Sequence, residues 1–177
     1  GNGLIADVSV ADPVSPLLVG AVEKAAKAEK LAVTCGGTYI VMEGPQFSTR
    51  AESNLYRSWG CDVIGMTNMP EAKLAREAEI CYAVVAMVTD YDCWHEEHAH
   101  VDLASVIAVM KGNTEKAQRL VLRLARDFPK VHPKCPIGSD TALEIALITA
   151  PEARDPKLVA KLDAVAGRVL GNKGGRG

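Results

Sequence analysis

Short apolar runs alternate along this chain with longer stretches in which apolar residues recur at helical spacing. The runs that predict strands are 31–35, 38–42, 61–66 and 81–89. The stretches that predict helices in the first half are 15–30, 48–60 and 67–79. Strands and helices that alternate at such short intervals are typical of an α/β domain. The pattern therefore predicts a mixed, largely parallel twisted sheet flanked by helices.

Local signals set the predicted ends of several elements. Ser15 followed by Pro16 suits the start of a helix, and Thr49 with Glu52 three residues later fits a capping box. The paired glycines at 36–37 permit positive backbone dihedrals, so they predict a hairpin or a sharp bend between the first two strands.

The second half of the chain is predicted to be helical. Amphipathic patterns predict helices over 101–111, 113–127, 139–148 and 156–170. Thr114 is a predicted cap for the second of them. We expect 128–177 to form a helical C-terminal extension, whose glycine-rich end is mobile.

The run 84–88 is wholly apolar and ends on polar residues, which indicates a strand buried on both faces that delivers side chains to a site. Asp90 and Asp92 follow it two positions apart, so both carboxylates point to the same side if the backbone is extended. Such a pair suits acid chemistry or the recognition of a hydrogen-bond donor. Alternatively, one Asp caps the next helix and the other is solvated, and the residues alone leave both interpretations open.

Two other polar turns follow predicted strands, at 43–48 and 67–68. Because ligand sites gather beyond the carboxyl ends of parallel strands, we expect these turns and the Asp90 turn to lie near one another. Phe47 suits stacking on a flat heterocycle or, alternatively, packing against the rest of the fold. Thr67 precedes a helix, where it either holds an anion or caps the helix.

Composition and charge exclude several functional classes. The 177 residues are 48% hydrophobic and 24% charged, with a net charge of −2, so there is no electrostatic case for binding nucleic acid or an acidic membrane surface. No apolar run approaches the ~20 residues of a membrane span, and the start has no signal-peptide pattern. Five cysteines without paired short spacing predict a reduced, cytoplasmic protein.

Histidines follow the Asp90 turn at positions 95, 98 and 100. A zincin helix needs two histidines four residues apart, whereas His95 and His98 are three apart, so we predict no metal site. The chain has neither the nucleophile turn of the α/β hydrolases nor a Gly-Lys-Ser/Thr phosphate loop.

Three stretches together are similar to a known family, and they are 43–53, 60–71 and 86–94. They resemble the 5′-methylthioadenosine phosphorylases of the trimeric purine nucleoside phosphorylase family, over about 4–125. The resemblance implies a phosphorylase/hydrolase-like fold, with 1–127 as the C-terminal part of a nucleoside phosphorylase domain. It implies phosphorolysis of S-methyl-5′-thioadenosine to adenine and 5-methylthioribose 1-phosphate, with inorganic phosphate as co-substrate, no cofactor, and a homotrimer.

The resemblance also implies roles for individual residues. Asp90 and Asp92 are the implied catalytic pair, since both bind the base and Asp90 shares or donates a proton at N7 as the glycosidic bond breaks. Thr67 contacts phosphate. The implied substrate-binding residues are Phe47, Ser48, Met66, Leu103, Val106 and Ile107, of which the last three line the methylthio pocket.

The chemistry of these residue types agrees with the implied substrate. A carboxylate accepts a hydrogen bond from a 6-amino group, so Asp at both positions favours adenine over 6-oxopurines. An apolar helix face suits a thioether, since a hydroxyl buried without a partner costs free energy. The alternatives are a purine nucleoside phosphorylase or nucleosidase of broader specificity, and a non-catalytic nucleotide-binding fragment.

The chain opens on Gly1-Asn2-Gly3, which is not an initiator sequence, and we expect residues to precede it. Three early phosphate-binding elements of the family have no match here: a glycine-rich turn with Ser or Thr, an Arg-His pair, and a Thr-Ala-Cys-Gly-like strand end. We therefore expect the N-terminal half to be missing, and the isolated 177 residues to show no measurable phosphorolysis.

Overall fold

The computed structural model describes residues 3–95 and 103–171. Its helices are α1 Pro16–Ala28, α2 Arg50–Ser58, α3 Asn68–Glu77, α4 Leu103–Asp127, α5 Pro156–Lys161 and α6 Asp163–Leu170. Its strands are β1 Tyr39–Val41 and β2 Val63–Gly65. Single 3₁₀ turns occur at Asp92–Trp94, Ser139–Thr141 and Pro151–Ala153. The three helices predicted before position 80 are confirmed by α1, α2 and α3.

β1 and β2 form a parallel pair in which Tyr39 lies opposite Val63 and Val41 opposite Gly65, with α2 as the connection. The hairpin alternative at 36–37 is wrong because 31–35 is not a strand, whereas the predicted positive dihedrals are confirmed by φ values of 86° at Gly36 and 107° at Gly37. The Gly37 backbone lies close to the Asp62 side chain. A Cβ on Gly37 would lie 2.8 Å from Oδ2 of Asp62. The same Asp62 oxygen accepts a 2.7 Å hydrogen bond from the Thr38 N–H, which aligns the starts of the two strands.

The apolar runs 31–35 and 81–89 are not strands among the described residues. Val85, Met87 and Val88 are exposed, so the prediction of a strand buried on both faces is also wrong. A run of branched and apolar residues indicates a preference for extended backbone, but a strand also needs a neighbour with which to exchange hydrogen bonds. The described sheet has only two strands, and neither pairs with 81–89.

The described residues divide into two compact units. The first comprises 3–18, 70–83 and 132–171, and the second comprises 19–69, 84–95 and 103–131. This division differs from the boundary expected at 127, because the C-terminal residues pack with two earlier segments of the chain. The boundary at 127 and the mobility of the end stay predictions, and residues 172–177 lie outside the described part.

The first unit is organised around Leu143, Ala146 and Ala166, which are buried against one another. The Asp7 N–H donates a 2.8 Å hydrogen bond to the Ala146 carbonyl, and an isolated antiparallel bridge joins Ala6 to Leu147. The helix predicted over 139–148 is wrong, and the 3₁₀ turn Ser139–Thr141 forms at its start instead. At the other end, the Ile148 N–H, which a helix would direct to the Glu144 carbonyl, donates a 2.9 Å hydrogen bond to the Ile5 carbonyl.

The second unit has its core where α1 meets α4. Ala25 and Ala26 are buried against Leu120, and partly buried Val22, Leu31 and Leu124 surround them. Arg119 on α4 donates to both the carbonyl and the carboxylate of Glu29, just beyond the end of α1.

α4 runs without a break through positions where the sequence predicts a boundary between two helices. Gly112 stays helical, and the hydroxyl of Thr114 donates a 2.9 Å hydrogen bond back to the Met110 carbonyl instead of capping a new helix. The opposite error occurs in the predicted helix 156–170, which is divided at Leu162 into α5 and α6.

Candidate active site

The predicted carboxylate pair lies in a tight turn. Oδ2 of Asp90 accepts a 2.6 Å hydrogen bond from the Thr89 hydroxyl, and Oδ1 accepts a 2.9 Å bond from the N–H of Asp92. Asp92 has a φ of 58° and begins the 3₁₀ turn Asp92–Trp94. The backbone is therefore not extended here, so the expected same-side alternation does not apply. The turn instead fixes the Asp90 carboxylate by two hydrogen bonds and leaves this side chain exposed.

A cysteine joins this turn to the turn at 43–48. The Cys93 thiol donates to the carbonyl of Ser48 with a sulfur to oxygen distance of 3.4 Å. The Ser48 hydroxyl in turn lies 3.6 Å from the sulfur of Met42, at the end of β1. The structure thus brings Ser48 and Asp92 into neighbouring turns, as predicted. Cys93 itself was not identified from the sequence, because a thiol 45 positions from its acceptor gives no local signal.

Met66 lies against the same 43–48 turn. A Cβ added to Gly44 would be 2.5 Å from the Met66 sulfur, so a larger residue there would require the Met66 side chain to move. The φ of Gly44 is 73°, a conformation that also favours glycine. The Met42 N–H donates a 3.0 Å hydrogen bond to the Gly65 carbonyl, which holds the turn beside the end of β2.

The start of α2 fixes the position of Ser48. Thr49 caps the helix and forms a capping box with Glu52, because the Thr49 hydroxyl accepts from the Glu52 N–H and the Glu52 carboxylate accepts from the Thr49 N–H. These hydrogen bonds from Thr49 hold the pKa of Glu52 below its usual value. The predicted capping box is confirmed, and it terminates the turn immediately after Phe47 and Ser48.

Aromatic side chains surround the Asp90 turn. The guanidinium carbon of Arg57 lies 3.8 Å from the ring centroid of Trp94, a cation–π geometry that ties α2 to the 3₁₀ turn. Tyr91 packs edge-on against Trp94 with ring centroids 6.1 Å apart. Phe47, by contrast, is 83% exposed. Its ring is available to a ligand, and the alternative of packing against the fold does not occur in the described residues.

The remaining predicted site residues lie at helix starts. Thr67 is exposed and immediately precedes α3. Val106 is half-buried and Ile107 is exposed, one turn into α4. The Leu103 side chain and the residues His98 and His100 lie outside the described part of the chain. Within 3–95 and 103–171, no three metal-ligating side chains cluster together.

An apolar groove of about 640 Å³ lies between the 87–89 segment and α4. Its lining residues are Met87, Thr89, Met110, Asn113, Thr114, Ala117, Gln118, Val121 and Leu122. None of the predicted site residues whose side chains are described lines it. Thr89 links the groove to the site, since its hydroxyl donates to Asp90. The Asn113 side chain crosses the same space and donates a 3.0 Å hydrogen bond to the Val88 carbonyl.

None of the helices in the described ranges combines the length and the apolar character that crossing a lipid bilayer requires.

Comparison with known proteins identifies relatives over most of the chain. The model of the family described as "Phosphorylase superfamily" matches residues 3–126. The S-methyl-5′-thioadenosine phosphorylase of Bradyrhizobium diazoefficiens is 65% identical over 170 residues, which cover 96% of this chain and 58% of that protein. The protein of the same name from Cereibacter sphaeroides is 59% identical, covering 96% of this chain and 59% of its own length.

A solved structure has the same fold over nearly the whole chain. The crystal structure of a methylthioadenosine phosphorylase sourced from an antarctic soil metagenomic library superposes with a TM-score of 0.84 at 42% identity, covering 93% of this chain and 58% of that one. The chain thus spans somewhat more than half the length of these relatives. The similarity continues past residue 127, so these relatives share the C-terminal segment.

Proposed function

Because this chain belongs to the phosphorylase superfamily, we propose that the protein carrying it cleaves S-methyl-5′-thioadenosine by phosphorolysis. The products are adenine and 5-methylthioribose 1-phosphate. The proposal is supported by relatives of that name at up to 65% identity. The observation that carries it is the turn around Asp90, where a carboxylate is oriented by two hydrogen bonds and left open to a ligand.

In the proposed reaction, a phosphate oxygen forms a bond to the anomeric carbon while the bond from that carbon to N9 of the purine breaks. Adenine is a poor leaving group as an anion, so a proton delivered to N7 lowers the barrier. General acid catalysis of this kind contributes typically about 10²- to 10⁴-fold in rate. Asp90 in its acid form is the proposed donor at N7.

The geometry of Asp90 fits base recognition. A carboxylate offers about four acceptor positions. The Thr89 hydroxyl and the Asp92 N–H occupy one position on each oxygen. The other positions face solvent, where a 6-amino group donates to one and the N7 proton is shared with another. Asp92, held in the adjacent 3₁₀ turn, is the proposed second contact to the base.

The other proposed contacts distribute over the substrate. Phe47 stacks on the purine or the ribose, since its ring is exposed and attached to a turn fixed by the α2 capping box. Ser48 and Met66 lie beside that turn and contact the ribose. Residues 103, 106 and 107 line the methylthio pocket with apolar side chains.

Inorganic phosphate is the proposed co-substrate, and the reaction needs no cofactor because phosphate itself supplies the nucleophile. Thr67 is the proposed phosphate contact. It immediately precedes α3, and the N-terminal end of a helix dipole favours an anion. We further propose a cytoplasmic homotrimer, with small molecules rather than nucleic acid as ligands.

The test is release of adenine from S-methyl-5′-thioadenosine with and without inorganic phosphate. Phosphorolysis predicts release that requires phosphate and yields a sugar 1-phosphate. Equal release without phosphate would instead identify a nucleosidase, which transfers the sugar to water. Adenine binding without any turnover by the complete protein would identify a non-catalytic binding module. Comparing adenosine and inosine as substrates measures the breadth of specificity.

A further inference from the structure

A buried polar cluster in the first unit has no part in the proposed reaction. Its centre is Cys135, which is 6% exposed, and the side chains of Ser15 and Ser139 beside it are fully buried. The Cys135 sulfur lies 3.7 Å from the Ser15 hydroxyl oxygen, and the Cys135 N–H donates a 2.9 Å hydrogen bond to Oδ2 of Asp140. Arg76 fixes the other side by donating to the Ser139 hydroxyl at 3.0 Å.

A second cysteine reaches the same cluster from a different segment. The Ser15 N–H donates a 2.7 Å hydrogen bond to the carbonyl of Tyr82, the residue next to Cys81. The hydroxyl of the same serine lies 3.7 Å from the Cys135 sulfur. Cys81 and Cys135, 54 positions apart in sequence, therefore lie beside the same serine.

The two thiols differ in acidity. Burial alone raises the pKa of Cys135, but hydrogen bonds from Ser139, Ile137 and Ser15 outweigh it and lower that pKa to about 7. Burial, together with the neighbouring Cys135, raises the pKa of Cys81 to about 11. The pair thus has one sulfur that is partly thiolate near neutral pH and one that stays protonated. A thiolate is the nucleophile in reactions with peroxides and disulfides.

We propose that Cys81 and Cys135 form a redox-reactive pair that hydrogen peroxide closes to a disulfide. In the first step the Cys135 thiolate attacks one peroxide oxygen, so that an S–O bond forms and the O–O bond breaks. The departing hydroxide takes up a proton and leaves as water. In the second step the Cys81 sulfur attacks the Cys135 sulfur, so that the S–S bond forms and the S–O bond breaks.

The second hydroxide takes the proton of the Cys81 thiol and leaves as a second water. Two thiols and one peroxide thus give one disulfide and two waters, and a dithiol reductant reverses the oxidation. The bond links the chain nine positions before Asp90 to the segment that follows α4. The other three cysteines lie in the second unit, at positions 35, 61 and 93.

The test treats the folded, purified protein with hydrogen peroxide at neutral pH, blocks the remaining thiols under denaturing conditions, and maps tryptic peptides without reduction. Trypsin cuts so that Cys81 falls in 77–111 and Cys135 in 135–154. Because Cys93 shares the first peptide, Cys93→Ser is the matched control. We expect the linked pair in the wild type and in Cys93→Ser, its absence in Cys81→Ser, and its loss on treatment with dithiothreitol.

The proposal would be overturned by a disulfide that involves Cys93 or by a Cys135 sulfenic acid that never forms a disulfide. It would also be overturned if the Cys135 thiol stayed reduced while the exposed Cys35 was oxidised. Fragment spectra of the wild-type peptides assign the bond directly, so the result does not depend on whether a variant folds. We also expect the oxidised wild type to unfold at a higher temperature than the reduced form, a difference that is absent in Cys81→Ser.

Discussion

Arg168 binds the Glu79 carboxylate through two hydrogen bonds, from Nε to Oε2 and from Nη2 to Oε1, each 2.6 Å long. The Glu79 side chain is only 8% exposed and also accepts a 2.9 Å hydrogen bond from the Leu143 N–H. One carboxylate thus joins α6 and the segment at 143 to the residue that follows α3. Bidentate pairing of a guanidinium with a carboxylate is the strong form of ion pair.

Replacing Glu79 is therefore expected to destabilise the first unit. Glu79→Gln removes the charge and one acceptor at a buried side chain that binds Arg168, and we expect the free energy of unfolding to fall by about 2 kcal/mol. The control is Glu144→Gln, because Glu144 also contacts Arg168, at 2.8 Å, but its side chain is 53% exposed. That change is expected to cost less than about 0.5 kcal/mol. Urea denaturation measures both, and equal losses would contradict the assignment.

The same pair predicts how stability depends on pH. The hydrogen bonds from Arg168 hold the pKa of Glu79 below its ordinary value of 4.5 in the folded protein, against the opposing effect of burial. A carboxyl whose folded pKa is depressed stabilises the fold fully above its unfolded pKa. We expect this contribution to decline as pH falls from 4.5 through the folded pKa. Unfolding curves between pH 7 and acid should be flatter for Glu79→Gln than for the wild type.

The contact between Gly44 and Met66 predicts a difference between two otherwise similar glycines. Gly44 and Gly60 have φ values of 73° and 76°, but a Cβ meets the Met66 sulfur at 2.5 Å only at Gly44. Replacement by alanine is expected to cost about 1 kcal/mol at each position through backbone strain. Gly44→Ala should additionally raise the KM for S-methyl-5′-thioadenosine by displacing Met66. An unchanged KM in Gly44→Ala would argue against Met66 as a substrate contact.

Asp90→Asn tests the proposed acid. Its amide oxygen still accepts from the Asp92 N–H, so the turn should be preserved, but the side chain no longer supplies a carboxylic acid. In the complete protein, with the N-terminal half present, we expect kcat/KM for S-methyl-5′-thioadenosine to fall about 10²- to 10⁴-fold. Asp127→Asn, at the end of α4, is the control and should retain full activity. A loss of less than about tenfold for Asp90→Asn would rule out proton donation by Asp90.

Exposure of Phe47 predicts a binding role without a folding role. Phe47→Ala should leave the unfolding midpoint unchanged, because the ring is 83% exposed. Loss of one stacking contact, about 0.5–1.5 kcal/mol, should raise KM roughly two- to tenfold. Trp59→Ala removes another exposed aromatic, at the end of α2, and should not change KM. Steady-state kinetics and thermal melts of the three proteins distinguish the two roles.

The parts of the fold that the sequence predicted correctly depend on residues close together in the chain. Thr49 and Glu52 are three positions apart, and they satisfy each other's backbone donors whatever surrounds them. The parts predicted wrongly depend on distant partners. The apolar run 81–89 pairs with no strand among the described residues. The Ala146 carbonyl accepts a hydrogen bond from the N–H of the distant Asp7.

The candidate site divides in the same way. Asp90 was identified because it follows an apolar run. Asp92 has a left-handed backbone, which Asp tolerates better than most residues do. The sequence predicted an extended strand that presents the carboxylate. The backbone dihedrals show instead that neighbouring residues hold it. Two contacts join α2 and the residue before its cap to the Asp90 turn: the hydrogen bond from Cys93 to Ser48 and the stacking of Arg57 on Trp94. Neither contact can be predicted from the local sequence.

Because α4 is unbroken, a change in packing at Leu120 is expected to displace residues near the start of the same helix. Leu120 is clamped against Ala25 and Ala26, whereas Val106 lies fourteen residues earlier on the same rigid helix, about 21 Å away. A tilt of about 5° at the Leu120 end displaces Val106 by roughly 2 Å, about the van der Waals radius of a methyl group. We therefore expect the size of the proposed methylthio pocket to respond to packing at the α1 interface. Volume changes at Leu120 are a route to altered 5′-substituent preference that leaves every pocket residue in place.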